Sequence, residues 1–268
     1  MLSARPTPPT RRAVVGWVLC AAPLAAACTA PPTPPAPVVT PAAAVVAPTA
    51  APRPPVVVLD AGHNGGNAAH AAEIRRQVPD GRGGTKDCNT TGTATDAGYP
   101  EHAFTFDVVE RATQRLTAAG VRVVLVRTDD TGVGPCVDER GRAGEAADAD
   151  AVVAVHADGS APDDSGFHVA LPDPPLHPAQ GAPSQALGAA LRDALRAGGF
   201  PDSDYLGHEG LAPRADLAGL NHSTRPVALV ECANMRNPDE AALVSSPEGR
   251  QRYADAIATG VLSYLSTT

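Results

Sequence analysis

The stretch Pro55-Val56-Val57-Val58-Leu59-Asp60-Ala61-Gly62-His63-Asn64-Gly65-Gly66 decides the fold. Three β-branched residues and a leucine make a short continuous apolar run, which Asp-Ala-Gly-His and a glycine pair then stop. A run of that kind, bounded by turn residues, predicts a strand buried on both faces of a sheet. The segment after Ala61 is too glycine-rich to extend the strand, so His63 falls just past its carboxyl end. Two later stretches repeat the pattern: Ala151-Val152-Val153-Ala154-Val155-His156-Ala157-Asp158-Gly159 and Val227-Ala228-Leu229-Val230-Glu231-Cys232. Each leads into a residue suited to metal ligation or acid–base work. Ligands of open α/β sheets bind outside the carboxyl ends of the strands. The three strand ends therefore predict one crevice that gathers His63, His156 and Glu231.

Between these strands the chain alternates strand and helix signals. Pro100 and Glu101 open a helix that runs to Ala119, with Phe104, Val108, Ala112 and Leu116 at helical spacing, and Gly120 stops it. Val121–Val126 reads as a strand, Asp138–Ala149 and Ser184–Ala197 as helices, and Asp239–Leu265 as one or two more. Gly65 to Gly98 is a long polar excursion with a weak helical piece at Ala68–Gln77, of a length that is either functional or disordered. The predicted fold class is α/β: a mainly parallel mixed sheet flanked by helices on both faces, in a single domain.

That domain spans residues 56–268. Residues 1–28 read as an export signal, with Arg5, Arg11 and Arg12 ahead of an apolar run from Ala13 to Ala27 and then Cys28. The run is too short and wrongly flanked for a membrane span. Cys28 is either lipidated, which would anchor the protein, or the signal is cut nearby in the ordinary way. Residues 29–55 are nearly all Ala, Pro, Val and Thr, a composition that cannot pack a core and predicts a disordered linker. The expected location is outside the cytoplasm, in the periplasm or cell envelope.

Charge narrows the partners. The chain has 21 basic and 29 acidic residues, and the first 55 hold four arginines and no acid, which leaves 17 basic against 29 acidic in the rest. A body this acidic, with Lys86 as its one lysine, is no nucleic-acid binder. A monomer is expected.

Three cysteines lie in the body. Cys88 and Cys136 sit in loops rich in Gly, Thr and Pro and make the natural disulfide of an exported protein. Cys232 follows Glu231 on an apolar strand, where a buried thiol is inert.

The chemistry rests on His63, His156 and Glu101. Two imidazoles and one carboxylate, with a fourth position left to water, make a catalytic rather than a structural zinc site. His102 competes with Glu101, but adjacent helical residues point apart, so at most one faces the metal. Asp60 and Asp158 flank the histidines as supporting or turn-forming groups. Glu231 is expensive on a buried strand unless it is used or paired. Beside an activated water it acts as general base and then general acid; otherwise it bonds loop amides or ligates the metal itself.

The segments Leu59-Asp60-Ala61-Gly62-His63, Pro100-Glu101, Val155-His156-Ala157-Asp158 and Val230-Glu231 resemble, in order and spacing, the zinc-dependent N-acetylmuramoyl-L-alanine amidases of the amidase-3 type. The tail from Pro226 to Leu265, with Asn237-Pro238-Asp239-Glu240 after the strand, is similar as well. The resemblance covers nearly the whole body and is nearest to small single-domain actinobacterial members with a disulfide. It implies one zinc per chain held by His63, Glu101 and His156, with Glu231 as the catalytic acid–base. The implied substrate is peptidoglycan or a muropeptide, cut at the amide between muramic acid and L-alanine. Asn64 and Thr105 depart from residues common in the family and bear on substrate preference. With no separate wall-binding domain, binding is expected from the catalytic body itself. The alternatives are a zinc carboxypeptidase acting on wall peptides and a catalytically silent wall-binding module.

Overall fold

The computed structural model describes residues 53–268. The expected export signal, with its alternatives of lipidation at Cys28 or cleavage nearby, and the expected linker up to residue 52 lie outside the described residues. The last linker residues are tied to the body: the Arg53 guanidinium donates to both carboxylate oxygens of Asp150, at 2.8 and 2.7 Å, and the Pro55 carbonyl accepts from the Arg122 amide at 2.8 Å.

The chain opens with β1 (Val56–Ala61), α1 (Ala71–Ile74), β2 (Gln77–Pro79), β3 (Thr85–Asp87), α2 (Glu101–Ala118) and β4 (Arg122–Leu125). It continues through α3 (Val137–Ala146), β5 (Ala151–Asp158), β6 (His168–Pro172), α4 (Ala182–Ala197) and β7 (Leu211–Arg214). It ends with α5 (Ala218–Asn221), β8 (Val227–Asn234), α6 (Pro238–Ser245) and α7 (Pro247–Leu265). Six strands form one sheet in the order β4-β1-β5-β8-β6-β7. The first four are parallel, β6 runs antiparallel to β8, and β7 is parallel to β6.

Alternation along the strands sends side chains to two different cores. Leu59, Val153, Val155 and Val230 pack against Phe104 and Val108 of α2, Leu187 and Leu191 of α4, and Tyr253 and Ile257 of α7. Val58, Val152, Ala154 and Leu229 point the other way, towards Ala143 of α3 and Leu217 and Leu220 beside and within α5. Each fully buried large apolar side chain contributes roughly 1.5–3 kcal/mol. The second face has the thinner cover, and a cavity lined by Val152, Ala154, Leu220 and Leu229 opens on it.

The predicted α/β class and helix positions match the structure to within a few residues. The sequence reading does not include β6, β7 or α5, and three further features differ. The Gly65–Gly98 excursion holds a short antiparallel hairpin, β2 paired with β3, that its polar sequence does not announce. The helical piece expected at Ala68–Gln77 is shorter, a 3-10 turn at Asn67–His70 followed by α1. His156 and Glu231 are not the last residues of their strands: β5 runs on to Asp158 and β8 to Asn234. His156 pairs with Glu231 and Asp158 with Asn234, so β8 carries one extra residue and the ladder bulges just beyond these two candidate site residues. The bulge ends regular pairing where the site begins.

Candidate metal centre

His63 lies just past β1 in a left-handed conformation, with φ of 59°. For a residue with a Cβ this is strained by roughly 1–2 kcal/mol, and the surrounding structure must hold it there. Two buried guanidiniums supply much of that hold. Arg140 of α3 donates to the Ala61 carbonyl at 2.8 Å and the His63 carbonyl at 2.6 Å, and pairs with the Asp60 carboxylate. Arg127, beyond β4, donates to the Ala61 carbonyl at 2.9 Å and the His102 carbonyl at 2.8 Å. Asn64 is buried and donates to the Gly134 carbonyl at 3.1 Å, while Thr105 donates to the Gly62 carbonyl at 2.8 Å. Asn64 and Thr105 thus brace the turn that carries His63.

Glu101 is the first residue of α2, after Pro100 in extended conformation, and its side chain is 5% exposed. Its Oε1 lies 3.0 Å from Nε2 of His63 and 2.9 Å from Nδ1 of His156. Oε2 accepts from the Thr93 amide at 2.9 Å, and Oε1 also accepts from the Ala157 amide at 3.2 Å. Of the two adjacent candidates Glu101 faces the site, and His102 turns away to the Asp130 carboxylate at 2.7 Å. Nδ1 of His63 lies 3.1 Å from the Thr90 carbonyl, which makes that nitrogen the donor and leaves the lone pair of Nε2 for the site.

One ligand atom from each of His63, Glu101 and His156 falls within 4.8 Å of the others. Two imidazole nitrogens and a carboxylate oxygen, converging from a loop, a helix start and a strand, are a donor set suited to zinc. The backbone leaves just enough room. A Cβ on Gly62 would meet the His156 ring at 2.3 Å, and one on Gly92, where φ is 78°, would meet Oε2 of Glu101 at 2.7 Å. The excursion after His63 thus supplies Thr90, Gly92 and Thr93 as one wall of the site.

The electrostatics stem from this crowding. Burial pushes the Glu101 carboxyl up, but His63 and His156 outweigh it and hold the group well below the ordinary carboxylate range. Burial likewise opposes charge on His63, yet the Glu101 carboxylate and the Thr90 carbonyl raise its pKa. Glu231 behaves in the opposite way. Burial, with Glu101 and Asp158 adding to it against His156, pushes it up to about 8. Its Oε2 is enclosed and has no hydrogen-bond partner among the described residues. A buried polar atom left unpaired is costly and points to a role with another molecule.

These residues line one cavity of about 570 Å³. His63, Glu101, His156 and Glu231 form its polar end, Val152 and Leu229 its apolar floor, and Lys86 and Arg236 contribute cations. Asp60 and Asp158 also line it; Asp158 accepts from the Tyr205 hydroxyl at 3.2 Å, and Asp60 pairs with Arg140. Neither Arg140 nor Arg127 is legible as a site residue in the sequence, since an arginine on a short polar helix, as at 140, or in a polar loop after a strand, as at 127, reads as a solvated charge. The Cys88–Cys136 disulfide is formed and joins the excursion to the start of α3; Cys232 is a free, buried thiol.

Comparison with known proteins places the chain. A family model described as N-acetylmuramoyl-L-alanine amidase matches residues 57–263. The chain is 49% identical over 212 residues to N-acetylmuramoyl-L-alanine amidase Rv3717 of Mycobacterium tuberculosis, an alignment covering 79% of this chain and 87% of the relative. The crystal structure of the N-acetylmuramyl-L-alanine amidase Ami1 from Mycobacterium smegmatis superposes with a TM-score of 0.78 at 50% identity, over 81% of this chain and 99% of that one. The apo form of Ami1 from Mycobacterium abscessus gives 0.77 at 47% identity, over 80% and 99%. Sheet, site and sequence agree, and the chain belongs to the amidase-3 family of N-acetylmuramoyl-L-alanine amidases.

Proposed function

We propose that this protein hydrolyses the amide between the lactyl group of N-acetylmuramic acid and the L-alanine of the stem peptide, in peptidoglycan or its muropeptide fragments, with one zinc ion held by His63, Glu101 and His156. The observation that carries the reading is the convergence of these three donors beside a fourth, unpaired acid, Glu231, in one cavity. A zinc ion in that donor set supplies Lewis acidity to the amide carbonyl and to the attacking water. Thr90 fixes the tautomer of His63, and Gly62 and Gly92 give the ligands room. Glu231 takes a proton from the water as its oxygen bonds to the carbonyl carbon. It then gives that proton to the alanine nitrogen as the carbon–nitrogen bond breaks. The products are a lactyl carboxylate and a peptide with a free amino terminus.

The expected site of action is the cell envelope. Among the described residues no helix is long and apolar enough to cross a membrane. The reading is tested by incubating the protein with a purified muropeptide and identifying the new terminus. A freed N-terminal L-alanine is expected; a freed carboxyl-terminal residue would make the protein a carboxypeptidase, and no product would leave it a wall-binding module.

A further inference from the structure

We infer that Arg140 is the positioning residue that keeps His63 in its metal-binding conformation. This rests on the reading of His63 as a ligand. Arg140 is 5% exposed, and its guanidinium spends every donor it has. Nε donates to the Pro135 carbonyl at 3.0 Å; one terminal nitrogen reaches the Asp60 carboxylate and the Ala61 carbonyl, the other the His63 carbonyl at 2.6 Å and the Gly134 carbonyl at 2.9 Å. An arginine needed only to neutralise Asp60 would not require four carbonyls besides.

The arrangement has a direction. The acceptors on β1 and its extension, Asp60, Ala61 and His63, are joined by one planar group to the loop at Gly134 and Pro135. That group fixes the carbonyl of the residue whose own backbone is left-handed. Arg127, the other buried guanidinium, reaches Ala61 and Gly62 and stops short of His63. The Thr90 carbonyl orients the ring of His63; Arg140 orients the backbone from which the ring hangs. A lysine at 140 would keep the charge opposite Asp60 but carries its donors on one atom and has no fork with which to span these acceptors.

The test measures zinc affinity of the full chain by competition with a chromogenic chelator, in Arg140→Lys and in the double variant Asp60→Asn/Arg140→Gln, which leaves no buried carboxylate unpaired. Asp60→Asn alone is the control. Groups that orient a metal ligand typically change affinity by about 10–100-fold when removed, and a loss of that size is expected in both Arg140 variants but not in the control. The rise in unfolding midpoint on adding zinc is a second reading that a destabilised variant still gives, and it should shrink in parallel. Wild-type zinc affinity in either Arg140 variant overturns the inference, as does failure of both to fold, which would make Arg140 a general structural group. His63→Ala, measured alongside, separates this from the reading beneath it: unchanged zinc affinity there would remove His63 as a ligand.

Discussion

Gly62 lies directly against the imidazole of His156: a Cβ at position 62 would fall 2.3 Å from Cε1 and 2.5 Å from Nδ1 of that ring. The contact joins β1 to β5 at the candidate metal centre and makes glycine obligatory between Ala61 and His63. Gly62→Ala is expected to push the His156 ring away from Glu101, whose carboxylate it meets at 2.9 Å. A misplacement of about 1 Å at a reacting centre costs roughly 10²-fold in rate. Zinc per chain and amidase turnover should fall together; a variant that keeps both at the wild-type level would show that the ring has room to retreat.

The disulfide is the second device that holds this region. Cys88 and Cys136 close a sequence separation of 48, and the Val137 amide donates to the Cys88 carbonyl at 2.7 Å across the same junction. In the chain-entropy view a loop of that length makes the crosslink worth about 4 kcal/mol. The Cys88→Ser/Cys136→Ser variant should lose stability of that order in denaturant unfolding. Peptide mapping after alkylation of the unfolded, unreduced chain should label Cys232 and leave Cys88 and Cys136 untouched. Labelling of all three would refute the pairing.

Much of the site is written locally and some of it is not. His63 is legible because an apolar run stops at a glycine, and Glu101 because Pro100 sets a helix start; both signals lie within a few residues of the group they place. Glu231 is legible because an acid ending the apolar run Val227–Val230 needs a reason. Arg140 and Arg127 are not, because what ties each to the turn carrying His63 is a backbone carbonyl distant in sequence, Ala61 in both cases. The hairpin of β2 and β3 is hidden for a related reason: apart from Val78 its residues are not buried, so no apolar alternation marks it. The bulge beyond His156 and Glu231 is a property of two strands paired together, and neither strand's sequence contains it.

His168 supplies a pH dependence. It is fully buried on β6, neither ring nitrogen has a partner among the described residues, and Tyr205 packs edge-on at 6.0 Å. Burial lowers its pKa to about 4, with Asp158 opposing and Arg214 assisting. The unfolded chain binds this proton near pH ~6.5, so between about 6.5 and 4 the unfolded state holds more protons and stability falls as pH falls. The loss from this group alone is on the order of 3 kcal/mol by pH 4. His168→Leu removes it. The drop in urea midpoint between pH 7.5 and pH 4.5 should therefore be smaller in the variant than in the wild type, and equal drops would rule out His168 as a source of acid sensitivity.

Proton transfer and metal binding at Glu231 can be separated by one substitution. The three donors of His63, Glu101 and His156 already make a set with one position to spare, and Glu231 is not part of that cluster. A fourth carboxylate on the metal would close the position that water must occupy. Its Oε2 is enclosed without a partner among the described residues, as expected for a group whose partner is the substrate or the water. Glu231→Gln keeps the shape of the side chain but cannot accept a proton, so it isolates the role. Zinc should stay near one per chain while turnover of muropeptide falls by about 10²–10⁴, the usual loss for one general acid–base group. Loss of zinc in this variant would make Glu231 a ligand and send the search for the base elsewhere in the cavity, with Asp158 first. Full zinc and full activity together would overturn the proton-transfer scheme, because among the described residues no other acid lining the cavity has an enclosed, unpaired oxygen.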